Sequence, residues 1–256
     1  MKRKVCIIGN SHAGALKRAW DLMPEWHSAN ELTFFAARAN GMRHLHLKGH
    51  TLTPRSRMLK ESIRFTSGGL DSINVSDYDT FLIYGLQMEA FFIEPDSFFS
   101  AAVIRQSLLD SVDSTLSFNI LKMIRSVTDK SIYIGHSPLL TMNSDEDCTY
   151  SSEDYLSGVR LMNNGVLSSY CATLIAQPSA TIVNGIFTKS EFLKGSKRLS
   201  VGDNRDDQVH PDHDDRHMND TFGREWLSHF FEQVSAGTSY RSQGRSAKSS
   251  SYRPAG

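Results

Sequence analysis

The sequence predicts an α/β fold, a three-layer α/β/α sandwich built on a five-stranded parallel sheet. Three observations lead there. Five short apolar runs, rich in β-branched and aromatic side chains, are spread along the chain. Apolar residues at helical spacing fill most of the stretches between them. The runs are continuous rather than alternating, as in strands buried on both faces by helices.

The elements follow in order. Val5-Cys6-Ile7-Ile8 reads as the first strand and closes on Gly9-Asn10-Ser11-His12. Ala13 to Met23 reads as a helix, with apolar residues at 13, 16, 20 and 23. Leu32 to Ala37 is the second strand. A long connection, residues 42 to 78, leads to the third, Thr80 to Tyr84. Connections of that length are functional or carry small elements of their own. Ser114 is placed to cap a helix running to Val127, with Leu116, Ile120, Met123 and Ile124 on one face. Ser131 to Ile134 is the fourth strand. Ser151-x-x-Asp154 matches a capping box with Asp in place of Glu or Gln. The helix behind it carries Tyr155, Val159, Met162, Val166, Tyr170 and Leu174. Thr181 to Asn184 is the expected fifth strand. The last helix starts near Asp220 and presents Phe222, Trp226, Phe230 and Val234. Residues 1–234 therefore form one expected domain. Residues 235–256 are rich in Ser, Gly, Arg and Lys, hold no acid, and are expected to be disordered.

Composition narrows the function classes. The chain has 256 residues, 39% of them hydrophobic, which suits one sizeable globular domain. Lys plus Arg and Asp plus Glu number 28 each, so no overall field favours nucleic acid or an anionic membrane. The basic tail is too sparse and too poor in aromatics for a nucleic-acid arm. The three cysteines, Cys6, Cys148 and Cys171, form no disulfide framework, and a reducing, cytoplasmic setting is expected. Lys2-Arg3-Lys4 precedes an apolar run that stops at Gly9, too short for a signal-peptide core. No stretch reaches the roughly 18 apolar residues of a membrane span.

Ser11 sits at a strand-to-helix turn, where nearby backbone N–H groups can stabilise a developing oxyanion. A serine nucleophile needs a base and a carboxylate to orient that base. Asp214-Asp215-Arg216-His217 supplies both, just before the last helix. In an open parallel sheet the loops at the carboxyl ends of the strands share one rim, so Ser11 and His217 can meet there. His136, after the fourth strand, points to the same rim.

These residues resemble the SGNH hydrolase (GDSL-like esterase and acyltransferase) superfamily. Four pieces carry the resemblance between residues 4 and 234: Gly9-Asn10-Ser11-His12 after the first strand, Asn40-Gly41 after the second, Gly85-Leu86-Gln87 after the third, and Asp214-x-x-His217-Met218-Asn219 with Gly223 beyond. The resemblance implies a flavodoxin-like strand order 2-1-3-4-5. It implies Ser11 as nucleophile, His217 as base and then acid, and Asp214 as its orienting group. It implies an oxyanion hole of the Ser11 and Gly41 backbone N–H groups with the Gln87 amide. Asn10, His12, Asn40, Gly85 and His136 are the expected pocket residues. The Gly-x-Ser-His form is most similar to sugar O-acetyl esterases and acetyltransferases. The implied substrate is an acylated carbohydrate or small ester, with a donor such as acetyl-CoA if the acyl group is transferred. No cofactor is implied. Two departures stand out: Asn10 where the family commonly has Asp, and Gln87 where it usually has Asn.

Other readings of the same residues stay open. Asp207-x-x-His210-Pro211 has the same spacing as Asp214-x-x-His217, but the latter is followed by Asn219, Gly223 and a helix. His210, His213 and His217 among Asp207, Asp212, Asp214 and Asp215 suggest a metal-dependent hydrolase, although the spacing fits no structural zinc pattern. The Asn10 and Gln87 departures suggest a silent module that binds glycan or protein. His44, His46 and His50 read as exposed loop residues. Between Arg43 and Arg64 lie six basic residues and one acid, Glu61, as in a solvated surface or a basic lid over the rim.

Overall fold

The computed structural model describes residues 1–95, 97–141, 150–211 and 213–246. Strand β1 (Arg3–Gly9) is followed by helix α1 (Ala13–Asp21) and β2 (Asn30–Ala36). The connection after β2 carries elements of its own: β3 (Leu45–Lys48), β4 (Thr51–Pro54), α2 (Arg57–Thr66) and β5 (Ile73–Asn74). Its three strands form a small antiparallel sheet. Then come β6 (Thr80–Tyr84), α3 (Ala101–Asp113), α4 (Leu116–Arg125), β7 (Ser131–Gly135), α5 (Ser152–Gly165) and β8 (Ala172–Ile175). A hairpin of β9 (Ile182–Val183) and β10 (Phe187–Thr188) precedes α6 (Asp220–Ser246). Past Val234, α6 continues into the segment expected to be disordered; residues 247–256 lie outside the described residues.

The main sheet has the order β2-β1-β6-β7-β8, and every pairing is parallel. This is the expected α/β sandwich. β1 pairs on both sides, which is why Val5 to Ile8 are wholly buried. Alternate residues serve opposite faces. Cys6 and Ile8 join the core under α2, α3, α4 and α5, whereas Val5 and Ile7 join the core under α1 and α6. The second core is the more aromatic, with Trp226 of α6 packed on Tyr84, Phe230 on Tyr133, and Phe231 on Trp20 and Trp26. Each such side chain contributes about 1.5–3 kcal/mol through burial.

α1 and α6 pack backbone to backbone. A Cβ at Gly223 would lie 2.3 Å from the Ala15 carbonyl oxygen and 3.0 Å from the Ala19 methyl. Only glycine permits that approach, and it draws the first and last helices together below the serine turn.

The fifth strand is not Thr181–Asn184. It is Ala172–Ile175, reached when α5 stops at Gly165 and a 3-10 turn (Leu167–Tyr170) leads to Cys171 in the left-handed region, φ 47°. Leu174 therefore belongs to a strand, and the helical stripe ends with Met162 and Val166. Ile182 and Val183 instead pair with Phe187 and Thr188 across a loop where Asn184 (φ 46°) and Gly185 (φ 81°) reverse the chain. The α4 cap is Thr115 rather than Ser114, its hydroxyl accepting from Phe118 N–H. Ser151 and Asp154 form the expected capping box. Among the described residues no helix is long and apolar enough to cross a membrane.

Candidate active site

The site lies where β1, β2 and β6 end. Gly9 closes β1 beneath α1, and a Cβ there would meet the Ala13 methyl at 2.7 Å. The chain turns at once, with Ala13 N–H donating to Asn10 O and Gly14 N–H to Ser11 O. Within the turn the Asn10 side-chain oxygen accepts from His12 N–H at 3.1 Å. A carboxylate oxygen would accept the same bond, so Asn10 keeps the turn while removing a charge. Asn10 also rests on Gly85, where a Cβ would stand 2.7 Å from its oxygen, and Gly85 has φ 69°.

The partner groups arrive on the segment before α6. The Asp214 Oδ1 accepts from the backbone N–H groups of Arg216 (3.0 Å) and His217 (2.8 Å), folding residues 214–217 into a tight turn. That turn delivers the His217 ring to its own carboxylate, Nδ1 lying 2.9 Å from Oδ2 and 3.1 Å from Oδ1. The other ring nitrogen, Nε2, lies 2.9 Å from Ser11 Oγ. Two residues 206 positions apart thus come within proton-sharing reach. Burial works against the Asp214 charge, but the His217 and Arg216 amides and the His217 ring outweigh it and hold the carboxyl at about 2. Asp214 is therefore an acceptor at neutral pH.

His217 stands between two other imidazoles. His210 stacks on it with centroids 4.0 Å apart and planes within 8°, and His12 lies on the other side at 5.1 Å. Burial, followed by the nearby His217, pushes His12 down to about 3 and His210 to about 4. Both stay neutral near pH 7. Among the described residues, His12 Nδ1 and His210 Nε2 are buried without a hydrogen-bond partner.

Two arginines, neither singled out by the sequence pattern, hold this segment against the sheet. Arg38, beyond β2, donates to Leu199 O and to the carboxylates of Asp203 and Asp206. Arg18 of α1 donates to Asp220 and to the carbonyls of Lys197 and Arg198. Arg18 sits beside Lys17 near the polar end of α1, and its partners, two carbonyls and two carboxylates, are remote in sequence.

The expected oxyanion donors sit differently from one another. Ser11 N–H has no hydrogen-bond partner among the described residues. Gly41 N–H, in contrast, donates to Arg38 O at 3.1 Å inside the turn after β2. Gln87 is held in the left-handed region, φ 68°, directly after Gly85 and Leu86 in the same region. Its Oε1 accepts from Leu116 N–H at the start of α4, and its Nε2 donates to Asn40 Oδ1 at 3.5 Å. The longer side chain is thus anchored to α4, with its amide N–H₂ turned towards the rim.

His136 does not line the pocket. Its side chain is buried, with Nδ1 bonded to Ser137 O and Nε2 to Tyr155 OH, which in turn accepts from Gln177 N–H. Both ring nitrogens are used in holding β7, α5 and the end of β8 together. The metal alternative also changes membership. One atom each from His210, Asp214 and His217 lie within 4.8 Å of one another, and His213 is not in the group; Asp212 lies outside the described residues. These atoms could hold an ion, but in this structure His217 is hydrogen-bonded to Asp214 and His210 Nδ1 lies 3.1 Å from the same carboxylate oxygen.

Beside Asn40 and Gly41 opens a cavity of about 610 Å³ between the turn after β2, the first half of α2 and residues 201–205. Arg43, His44 and Arg205 line it, with Ser56, Met58 and Ser62 among the other walls. Part of the basic 43–64 segment thus borders the rim.

No family model and no curated relative matches the chain. Among solved structures, the periplasmic domain of a lipopolysaccharide acetyltransferase from Salmonella ser. Paratyphi A is similar over 91% of this chain and 84% of that one, with 12% identity and a TM-score of 0.46. A carbohydrate esterase family 2 enzyme with a carbohydrate-binding domain, from Corynascus thermopiles (Myceliophthora fergusii), is similar over 93% of this chain and 67% of that one, with 12% identity and a TM-score of 0.39.

Proposed function

We propose that the protein is a serine-dependent acyl-ester enzyme of the SGNH kind, which hydrolyses an O-acyl group on a carbohydrate or transfers it. The observation that carries this reading is the continuous chain of hydrogen bonds from Asp214 through His217 to Ser11. Ser11 Oγ attacks the acyl carbon while His217 Nε2 takes its proton. Asp214 stays ionised and stabilises the imidazolium. Ser11 N–H and the Gln87 amide are the donors for the tetrahedral oxyanion. His217 then protonates the departing sugar oxygen, leaving acyl-Ser11. Water gives the free acid; a second hydroxyl gives a new ester. The cavity beside Gly41, with its hydroxyl and guanidinium walls, suits the alcohol portion of the ester, and no cofactor enters any step.

The test is p-nitrophenyl acetate turnover and fluorophosphonate labelling of wild type, Ser11→Ala and His217→Ala. Labelling at Ser11 and a loss of turnover of about 10⁴-fold in either variant are expected. Turnover that disappears on chelation, with Ser11 unlabelled, would instead support an ion at His210, Asp214 and His217. One observation favours a second reading, a silent glycan-binding module. The Gly41 N–H is turned into its own loop, which removes one expected oxyanion donor. Folded wild type that binds acetylated glycan but neither labels nor turns over would establish that reading.

A further inference from the structure

We propose that His210 is a positioning residue: stacked on His217 and set beside the same Asp214 oxygen, it fixes the plane of the base and divides the carboxylate that orients it. The proposal rests on the serine-dependent reading of the site.

Three observations converge on it. First, the two rings lie nearly parallel at 4.0 Å, so His217 cannot tilt without displacing His210. Second, His210 Nδ1 lies 3.1 Å from Asp214 Oδ2, the oxygen that His217 Nδ1 meets at 2.9 Å. With both Nδ1 atoms protonated, one oxygen faces two N–H dipoles, and its hold on His217 is divided. Third, the His210 backbone is fixed. Its N–H donates to Ser196 O, the neighbouring Val209 bridges to Lys197, and the side chain is only 6% exposed.

The groups that act on His210 are His217 and Asp214 on its own segment, Arg198, and Arg18 from α1. Burial first, then His217, and last the two arginines disfavour a positive charge on its ring and outweigh Asp214, so His210 stays neutral when His217 takes up a proton. The divided carboxylate stabilises the imidazolium less than an undivided one would. That leaves the His217 proton easier to pass to the departing oxygen.

The experiment compares wild type with His210→Ala, His210→Asn and His210→Phe. The readouts are kcat and KM on p-nitrophenyl acetate across pH, thermal midpoint, and NMR titration of the His217 ring, identified by its absence in His217→Ala. In His210→Ala, kcat should fall about tenfold with KM unchanged. The His217 pKa and the acidic limb of kcat/KM should rise together by about half a unit or more. His210→Asn returns a donor to Asp214 and should bring both back towards wild type. His210→Phe returns packing alone, so it should recover the thermal midpoint but not the titration. An unmoved His217 titration in His210→Ala, or full recovery by His210→Phe, would overturn the proposal. Unlabelled Ser11 in wild type would defeat the serine reading instead, and the NMR titration would still decide whether His210 tunes His217. A dead His210→Ala beside an active His217→Ala would make His210 the base and defeat both.

Discussion

Two Asp-x-x-His pairs lie seven residues apart in the same loop, and only one closes on itself. Asp214 caps its own turn, accepting from the amides two and three residues ahead, and so the His217 ring returns to it. Asp207 does not. It sits in the left-handed region at φ 53°, more than half exposed, with its carboxylate 3.7 Å from Arg18. Its histidine, His210, turns to Asp214 instead. Spacing alone therefore did not decide the matter. What decided it was whether the carboxylate had backbone N–H groups to hold it while the chain turned.

The comparison can be broken directly. Asp214→Asn should lower kcat by about 10³- to 10⁴-fold, through the wrong His217 tautomer, whereas Asp207→Asn should leave kcat and KM at wild-type values. Equal losses in steady-state assays of the two variants would erase the distinction drawn here. Gln87→Ala asks whether the closed pair works with a complete oxyanion site. A loss of about 10²-fold in kcat with little change in KM is expected, and an unchanged kcat would remove Gln87 from the donors.

The smallest expected effect is on stability against pH. His12 and His210 have folded values near 3 and 4, below the ordinary 6.5. Between those limits the unfolded chain binds more protons than the folded one. Stability is therefore fully present above pH 6.5 and falls as pH drops towards 3. Asp214 adds to the loss only further down, between its ordinary 3.8 and about 2. Urea unfolding at a series of pH values should show this slope, and His210→Asn should flatten it. A slope of opposite sign would contradict the burial of the two rings as neutral groups.

Most of the frame was legible because its strands are short, apolar and bounded by polar turns. β1, β2, β6 and β7 lie where their apolar runs predict. β8 was hidden, because Leu174 continues the spacing of Tyr155, Val159 and Met162 and so reads as one more turn of helix. Tertiary context overrode that periodicity at Gly165. Helix α3 was not foreseen; only two of its side chains, Leu108 and Val112, are buried, too few to leave a clear stripe. At the site, the Ser11 turn was legible from the strand and helix that flank it, whereas the rim argument for His217 leaned on a fifth strand at Thr181–Asn184 that lies instead in a separate hairpin. The Arg18 and Arg38 clamps were not, because their bonds run to remote carbonyls and acids. Nor was the inward turn of His136, which depends on a tyrosine hydroxyl from α5.

The glycine seam between α1 and α6 ties the alcohol to its imidazole. Ser11 precedes α1 and His217 precedes α6, 206 positions further along the chain. Their meeting therefore rests on two helices seating backbone to backbone at Gly223, so a bulkier residue at that remote position would part them without touching either.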